Sequence, residues 1–112
     1  MNIAGLVKVA KQQAKLGRSD LVQLYIDEIP IAISKRYART RMGFFQNAGT
    51  GDVGRILINT CMCNSEAVFL DTLYHELAHA IAHWVHGREV DTHGPKWKAV
   101  MVSLGQKPDR CG

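Results

Sequence analysis

The sequence predicts an α+β fold in one domain spanning residues 1–112, with helices, a small sheet and then two further helices. Three observations support this prediction. The chain has 112 residues, 46% of them hydrophobic and 21% charged, which is typical of one globular domain. Apolar residues recur at helical spacing towards both ends, and short segments separated by glycine-containing turns lie between them. No run of about 18 apolar residues occurs, so the sequence does not predict a membrane span.

Two helices are predicted before the sheet. The first ends at Gly17, a residue typical of helix termini. Its apolar residues lie three or four positions apart: Ile3, Leu6, Val7, Ala10 and Ala14. Ser19 is suited to cap a second, shorter helix, which breaks near Pro30. The apolar residues of this second helix are Leu21, Leu24 and Tyr25.

A small, mostly antiparallel sheet is predicted in the middle of the chain. Its extended segments are Ile31–Lys35, Met42–Gln46 and Arg55–Asn59. The last two flank residues 47–52, whose two glycines favour a loop between neighbouring strands.

Two helices are predicted after the sheet. The longer one runs from after Ser65 to about His86, where Gly87 provides a left-handed stop. Its apolar stripe is expected to be core: Leu70, Leu73, Leu77, Ile81, Trp84 and Val85. The last helix begins at Pro95, a residue accepted in a first helical turn, and closes at Gly105. Its predicted buried side is Trp97, Val100, Met101 and Leu104.

The residues His75-Glu76-Leu77-Ala78-His79 form an H-E-x-x-H motif inside the longest predicted helix. Residues four apart on a helix differ by about 40° in direction and about 6 Å in height, so the imidazoles of His75 and His79 can bind one ion. Glu76 points about 100° away from His75, close enough to reach an activated water without ligating the metal. This spacing is that of zinc peptidases, whereas two hydrogen-bonded core histidines are the alternative.

A catalytic zinc usually takes three protein ligands, so a third residue must be found. The candidates are His86, Glu89, Asp91 and His93. His86 lies about 16 Å along the helix from His75, which is too far for one ion. His93 follows the break at Gly87 and precedes Pro95, so its segment can fold back. His93 is therefore favoured, with Asp91 and then Glu89 remaining as alternatives, while His83 and His86 are expected to support the site or line its mouth.

The positive charge of the chain lies in its first half. Residues 1–60 carry nine Lys or Arg against four Asp or Glu, whereas residues 61–112 carry five against six. The densest basic stretch contains Lys35, Arg36, Arg39 and Arg41. These side chains could contact DNA phosphates, and Tyr37 could stack on an unpaired base. A solvated surface is the equally weighted alternative.

The cysteines and the first residues predict an intracellular protein. The three cysteines are an odd number, and Cys61 and Cys63 are too close in sequence for an ordinary disulfide, which favours a reducing compartment. Cys61 and Cys63 are expected to be free thiols in a turn. Residues 1–17 lack the apolar core of a signal peptide, so a cytoplasmic location is expected, which includes association with the nucleoid.

Four segments in the same order resemble the SprT-like metallopeptidases, a family that includes the Spartan DNA–protein crosslink proteases. They are Arg55-Ile56-Leu57-Ile58-Asn59, Asn64-Ser65-Glu66-Ala67, His75-Glu76-Leu77-Ala78-His79-Ala80 and His93-Gly94-Pro95-Lys96-Trp97-Lys98. The resemblance implies a compact zincin-like domain. It also implies zinc held by His75, His79 and His93, with Glu76 as the catalytic carboxylate. It further implies that the strand Arg55–Asn59 lies along the cleft and holds an extended peptide.

These features together predict a zinc metalloendopeptidase that acts on a protein or peptide substrate, including DNA-associated or DNA-crosslinked proteins. Tyr37 and His83 are candidates to stabilise the oxyanion. Many longer relatives carry a cysteine-paired zinc ribbon after the protease domain, but Cys111 has no nearby partner, so no second zinc site is expected. The alternatives are a non-enzymatic nucleic-acid-binding module with a structural zinc and a hydrolase of other amides or esters.

Overall fold

The longest helix lies at the centre of the fold and packs against three other helices and a three-stranded sheet. The computed structural model describes residues 2–35, 42–46, 53–63, 65–87 and 93–108. The elements in these ranges are α1 (Ile3–Lys15), α2 (Asp20–Glu28), β1 (Ile31–Ser34), β2 (Gly43–Gln46), β3 (Arg55–Asn59), α3 (Glu66–His86) and α4 (Pro95–Ser103). A short 3-10 turn at Thr60–Met62 follows β3. The predicted α+β class is confirmed.

Two lysines of α1 bind polar groups at the C-terminal end of α2. The Lys11 Nζ atom donates to the carbonyl oxygens of Asp27 and Ile29, at 3.1 and 2.7 Å. Lys15 forms an ion pair of 2.9 Å with the Asp27 carboxylate. Positive charge at the carbonyl end of a helix is favourable, so these contacts stabilise the α1–α2 corner.

The sheet is mixed, with the strand order β1-β3-β2. β2 pairs antiparallel with β3, as predicted for these neighbouring strands, but β1 pairs parallel with β3. The chain reverses between β1 and β2 and reverses again between β2 and β3, so β3 runs in the direction of β1. The prediction of a mostly antiparallel sheet was therefore wrong for the β1–β3 pair, because β3 lies between the two earlier strands.

Both ends of α3 lie where the sequence predicts them. The Ser65 hydroxyl accepts a hydrogen bond from the Val68 backbone N–H at 3.2 Å. Gly87 has a φ of 85°, and its N–H donates to the His83 carbonyl at 2.8 Å. This cap satisfies a carbonyl that the helix end would otherwise leave unpaired.

The predicted apolar stripe of α3 does not stay buried to the end of the helix. Leu73, Leu77 and Ile81 are fully buried, whereas Trp84 and Val85 are 39% and 50% exposed. The Trp84 ring stacks on Tyr25 of α2, with ring centroids 4.5 Å apart. The expectation that the whole stripe is core was therefore wrong for the last turn, because periodicity does not indicate which turns face a partner element.

The core lies between α3, β3 and the other three helices. Its largest fully buried side chains are Trp97, Phe69, Ile26, Ile29, Ile56, Ile58, Leu73, Leu77, Ile81 and Leu104. The predicted buried side of α4 is confirmed, since Trp97, Val100, Met101 and Leu104 are all buried. Across the described residues, no helix combines the length and the hydropathy that crossing a bilayer requires.

Candidate metal centre

Three imidazoles converge on one point between α3 and the start of α4. The Nε2 atoms of His75 and His79 lie 3.1 Å apart, and those of His75 and His93 lie 3.3 Å apart. The possible ligand atoms of all three residues lie within 4.8 Å of one another. Each neutral imidazole has one ring nitrogen with a free lone pair, and a cation placed among the three rings can bind all of these lone pairs at once. The three histidines could therefore hold one metal ion.

Local structure explains why these side chains meet. α3 is unbroken through the motif, so His75 and His79 lie on the same side of the helix, one turn apart. His93 precedes the N-cap residue Gly94, which is buried, and Pro95 begins α4. The packing of α4 against α3 thus fixes the backbone beside His93 and returns it to the motif.

Glu76 is the buried carboxyl-bearing residue of this helix, with only 6% of its surface exposed. It lies one position after His75 and therefore about 100° around the helix axis from it. Burial near a basic or metal-binding group is the environment in which a carboxylate acts in proton transfer.

The remaining candidate ligands separate into two groups. His86 is exposed in the last turn of α3, and the half-buried His83 packs against Phe45, with ring centroids 5.7 Å apart. Neither belongs to the metal-binding group found among the described residues. Glu89 and Asp91 lie outside the described residues. Of the candidates for the third ligand, the described structure thus brings only His93 to the motif.

A family model described as the SprT-like family matches residues 7–111 of the chain. The chain belongs to the SprT-like family. Several bacterial relatives of this SprT-like chain, each named Protein SprT, match a shorter segment. Those of Pseudomonas fluorescens (strain SBW25) and Pseudomonas aeruginosa (strain LESB58) are 39% and 41% identical over 49 residues. That segment spans 43% of this chain and 30% of each relative. No solved structure gives a significant match.

The central strand of this SprT-like chain cannot hold a peptide in the way the sequence analysis expected. β3, residues Arg55–Asn59, is hydrogen-bonded to β1 on one edge and to β2 on the other. Ile56 and Ile58 are fully buried, and Asn59 is 4% exposed. The Asn59 side chain accepts a hydrogen bond from the Cys61 backbone N–H at 3.2 Å. The expectation that a substrate strand adds along β3 is therefore corrected, because both of its edges are occupied.

The strand that lies beside the motif is β2. A Cβ atom on Gly43 would lie 2.9 Å from the Thr72 methyl group of α3, so glycine permits the close approach of strand and helix. Phe45 lies against His83, one turn beyond the motif. β2 therefore runs alongside the stretch of α3 that carries His75 and His79. Within the described part of the chain, β2 pairs with β3 alone, which leaves its other edge without a strand.

The structure describes only part of the basic stretch, and it describes two of the cysteines. Lys35 is exposed, whereas residues 36–41, with Arg36, Tyr37, Arg39 and Arg41, lie outside the described residues. Cys61 and Cys63 are both free thiols, as predicted, and Cys63 is buried. Burial raises the pKa of the Cys63 thiol, which is the environment of an unreactive structural cysteine.

Sequence reasoning missed two contributors to the site in the SprT-like chain. Gly43 was placed in a strand, but nothing in its flanking sequence indicated a close approach to α3. Trp97 was predicted to be core, and it is fully buried, yet its ring also contacts all three histidines. The spacing of His93 and Trp97 gave no signal for this contact, because His93 precedes the N-cap of α4 and the helical i, i+4 relation does not apply to it.

The metal-free chain is expected to lose stability as the pH falls below about 6.5, where free histidine titrates. Burial, with the neighbouring His75 and His93, lowers the pKa of His79 to about 3. Burial also lowers the pKa of His75. The unfolded chain therefore binds more protons than the folded chain between about pH 6.5 and pH 3, so acid favours unfolding. For His79 the upper limit is about 1.4 kcal/mol per pH unit, reduced by solvent screening at its partly exposed ring.

Urea unfolding of chelator-treated protein between pH 7.5 and pH 4.5 measures this effect. The His79→Gln variant removes one of the two groups, so its stability should depend less on pH than that of the wild type. The exposed His86 provides the matched control, and His86→Gln should follow the wild-type profile. Identical pH profiles for wild type and His79→Gln would contradict the assignment.

Proposed function

We propose that this chain is a zinc-dependent metalloendopeptidase in which His75, His79 and His93 hold the metal and Glu76 is the general base. The observation that carries the proposal is the convergence of three imidazoles beside a buried glutamate that is next in sequence to one of them. Membership of the SprT-like family supports the same conclusion.

The donor set fits zinc. Zinc–imidazole bonds of about 2.0–2.1 Å at tetrahedral angles place the ligand nitrogens about 3.3 Å apart. The separations of 3.1 and 3.3 Å from the His75 Nε2 atom lie close to that value, and the ligand atoms of His79 and His93 lie within 4.8 Å of each other. When bound to three neutral imidazoles, zinc makes a water acidic enough to react near pH 7 and stabilises negative charge on a carbonyl oxygen.

The protein groups move the protons of the reaction. The Glu76 carboxylate accepts a proton from the water while the water oxygen attacks the peptide carbonyl carbon. The same carboxyl group then donates that proton to the departing amine nitrogen, which leaves as the C–N bond breaks. The burial of Glu76 keeps this carboxyl group out of bulk water and fixes its position on α3.

We infer that an extended peptide pairs with the outer edge of β2, in place of the β3 edge that the sequence analysis favoured. The close approach of Gly43 to Thr72 and the contact of Phe45 with His83 support this location, since they align β2 with the motif. Backbone hydrogen bonds to an edge strand give affinity with little dependence on side chains. Phe45 and His83 would then contact the substrate side chains nearest to them.

DNA-associated proteins are the proposed substrate class. The support is the basic excess of residues 1–60, to which Lys35 contributes an exposed charge. Such a surface would hold phosphates without reading sequence and would raise the local concentration of protein bound to the same DNA.

Denatured casein tests the proposed activity. Wild-type protein loaded with zinc is expected to cleave it, to stop in the presence of a chelator and to regain activity when zinc is restored. Cleavage that persists after complete zinc removal, or no cleavage by protein that holds one zinc per chain, would contradict the proposal. A parallel arm with single-stranded DNA tests the substrate class, since binding that does not weaken with salt would argue against phosphate contacts.

A further inference from the structure

Trp97 lies against every member of the histidine group. Its ring centroid is 5.0 Å from that of His75, 5.4 Å from that of His79 and 4.8 Å from that of His93. The indole is nearly parallel to the His79 ring, at 24°, and nearly perpendicular to the His93 ring, at 84°. One fully buried side chain thus covers the side of all three imidazoles that faces α4.

The indole is itself held in place. Its Nε1–H donates to the backbone carbonyl of His75 at 3.4 Å, which joins α4 to the helix that carries the motif. A buried indole N–H needs such an acceptor, and this one fixes the ring relative to His75. Trp97 cannot turn without losing both this hydrogen bond and its contacts with the imidazoles.

His75 lacks the usual means of fixing a ligating imidazole. The Nδ1 atom of His75 is buried and has no hydrogen-bond partner in the part of the chain that the structure describes. A histidine that binds a metal through one ring nitrogen ordinarily donates its other N–H to a carboxylate, a carbonyl or a water, which sets the ring orientation. The orientation of the His75 ring must therefore come from packing.

We propose that Trp97 is a positioning residue of the metal centre. Its indole sets the tilt of the three imidazoles and fixes the His75 ring, a role that a hydrogen-bond acceptor at Nδ1 ordinarily has. The inference rests on the proposed binding of a metal by His75, His79 and His93, but not on peptide cleavage. Preorganised ligands lose less conformational entropy when they bind, so the indole raises metal affinity without touching the ion.

Two substitutions at Trp97 and one elsewhere in the core test the inference. Trp97→Leu removes the aromatic ring that contacts the three imidazoles, whereas Trp97→Phe keeps a ring but loses the hydrogen bond to the His75 backbone carbonyl. Phe69→Leu is the matched control, because Phe69 is a fully buried aromatic residue of α3 that lies about 9 Å along the helix axis from His75. Zinc Kd is measured by competition with a chromophoric chelator, and urea unfolding of the metal-free proteins gives the folded fraction for correction.

We expect Trp97→Leu to weaken zinc binding by about 10- to 100-fold, the range found when a partner of a ligating histidine is removed. Trp97→Phe should fold well and lose less affinity than Trp97→Leu. Phe69→Leu should lose stability but keep the wild-type Kd. The visible spectrum of the cobalt-loaded protein should change for both Trp97 variants and stay unchanged for Phe69→Leu, because it reports ligand geometry.

If Trp97→Leu binds zinc as tightly as the wild type does, the inference is overturned. An equal loss of affinity in Phe69→Leu would also overturn it, since the effect would then come from general destabilisation. The proposed peptidase function fails separately: a wild-type protein that binds zinc tightly but cleaves nothing would refute the function while leaving the role of Trp97 intact. A wild-type protein that takes up no zinc would refute both.

Discussion

Replacing Glu76 with glutamine is expected to lower peptide hydrolysis by about 100- to 10,000-fold, the usual contribution of a general base. Glutamine has nearly the same shape as glutamate but cannot accept a proton at neutral pH. Because Glu76 is not one of the three histidines proposed to hold the metal, zinc content should stay at one per chain. Initial rates on denatured casein and elemental analysis of the same samples measure both quantities.

Glu66→Gln is the matched control for this substitution. Glu66 is exposed in the first turn of α3, so the change removes one carboxylate from the same helix without altering its buried part. The rate of casein hydrolysis by Glu66→Gln should remain within about twofold of wild type, as expected for a surface position. Undiminished hydrolysis by Glu76→Gln would reject Glu76 as the base.

The His93→Ala variant is expected to lose zinc affinity by more than about 100-fold, beyond the effect of removing a supporting residue. Two imidazoles from one helix would remain, and they cannot close a site that needs three protein ligands. The variant should fold, because α4 keeps its buried contacts through Trp97, Val100 and Met101. Chelator competition measures the affinity, and circular dichroism checks the fold.

His86→Ala is the control for the loss of a histidine. His86 is exposed at the end of α3 and lies outside the converging group, so its variant should bind zinc as wild type does. Asp91→Ala and Glu89→Ala test the alternative third ligands. If either of these variants loses the metal while His93→Ala keeps it, the assignment of His93 is wrong.

The helices were predictable because their signals are local. Ser65 caps α3 through its own side chain, and Gly87 adopts the positive φ that ends the helix. The spacing of His75, Glu76 and His79 fixes their directions on any continuous helix, so the motif predicted two of the converging imidazoles. His93 could only be favoured, because its return to the motif depends on how α4 packs.

Long-range packing explains what the sequence could not predict. The position of β3 between β1 and β2 depends on pairings between distant segments, so the role of Arg55–Asn59 could not be deduced from composition. In α2, Leu21 and Leu24 are 75% and 54% exposed, whereas Ile26 is fully buried. Periodicity marks an apolar side, but the neighbouring elements decide which part of it is covered.

Anomalous scattering at the zinc absorption edge tests the central claim most directly. The crystals are grown from protein that carries no metal-binding tag and has been supplied with zinc. We predict one strong peak per chain, about 2.0–2.1 Å from the Nε2 atoms of His75, His79 and His93. A chain that folds and crystallises with no peak among these three nitrogens, or with zinc bound by other residues, would contradict the proposal.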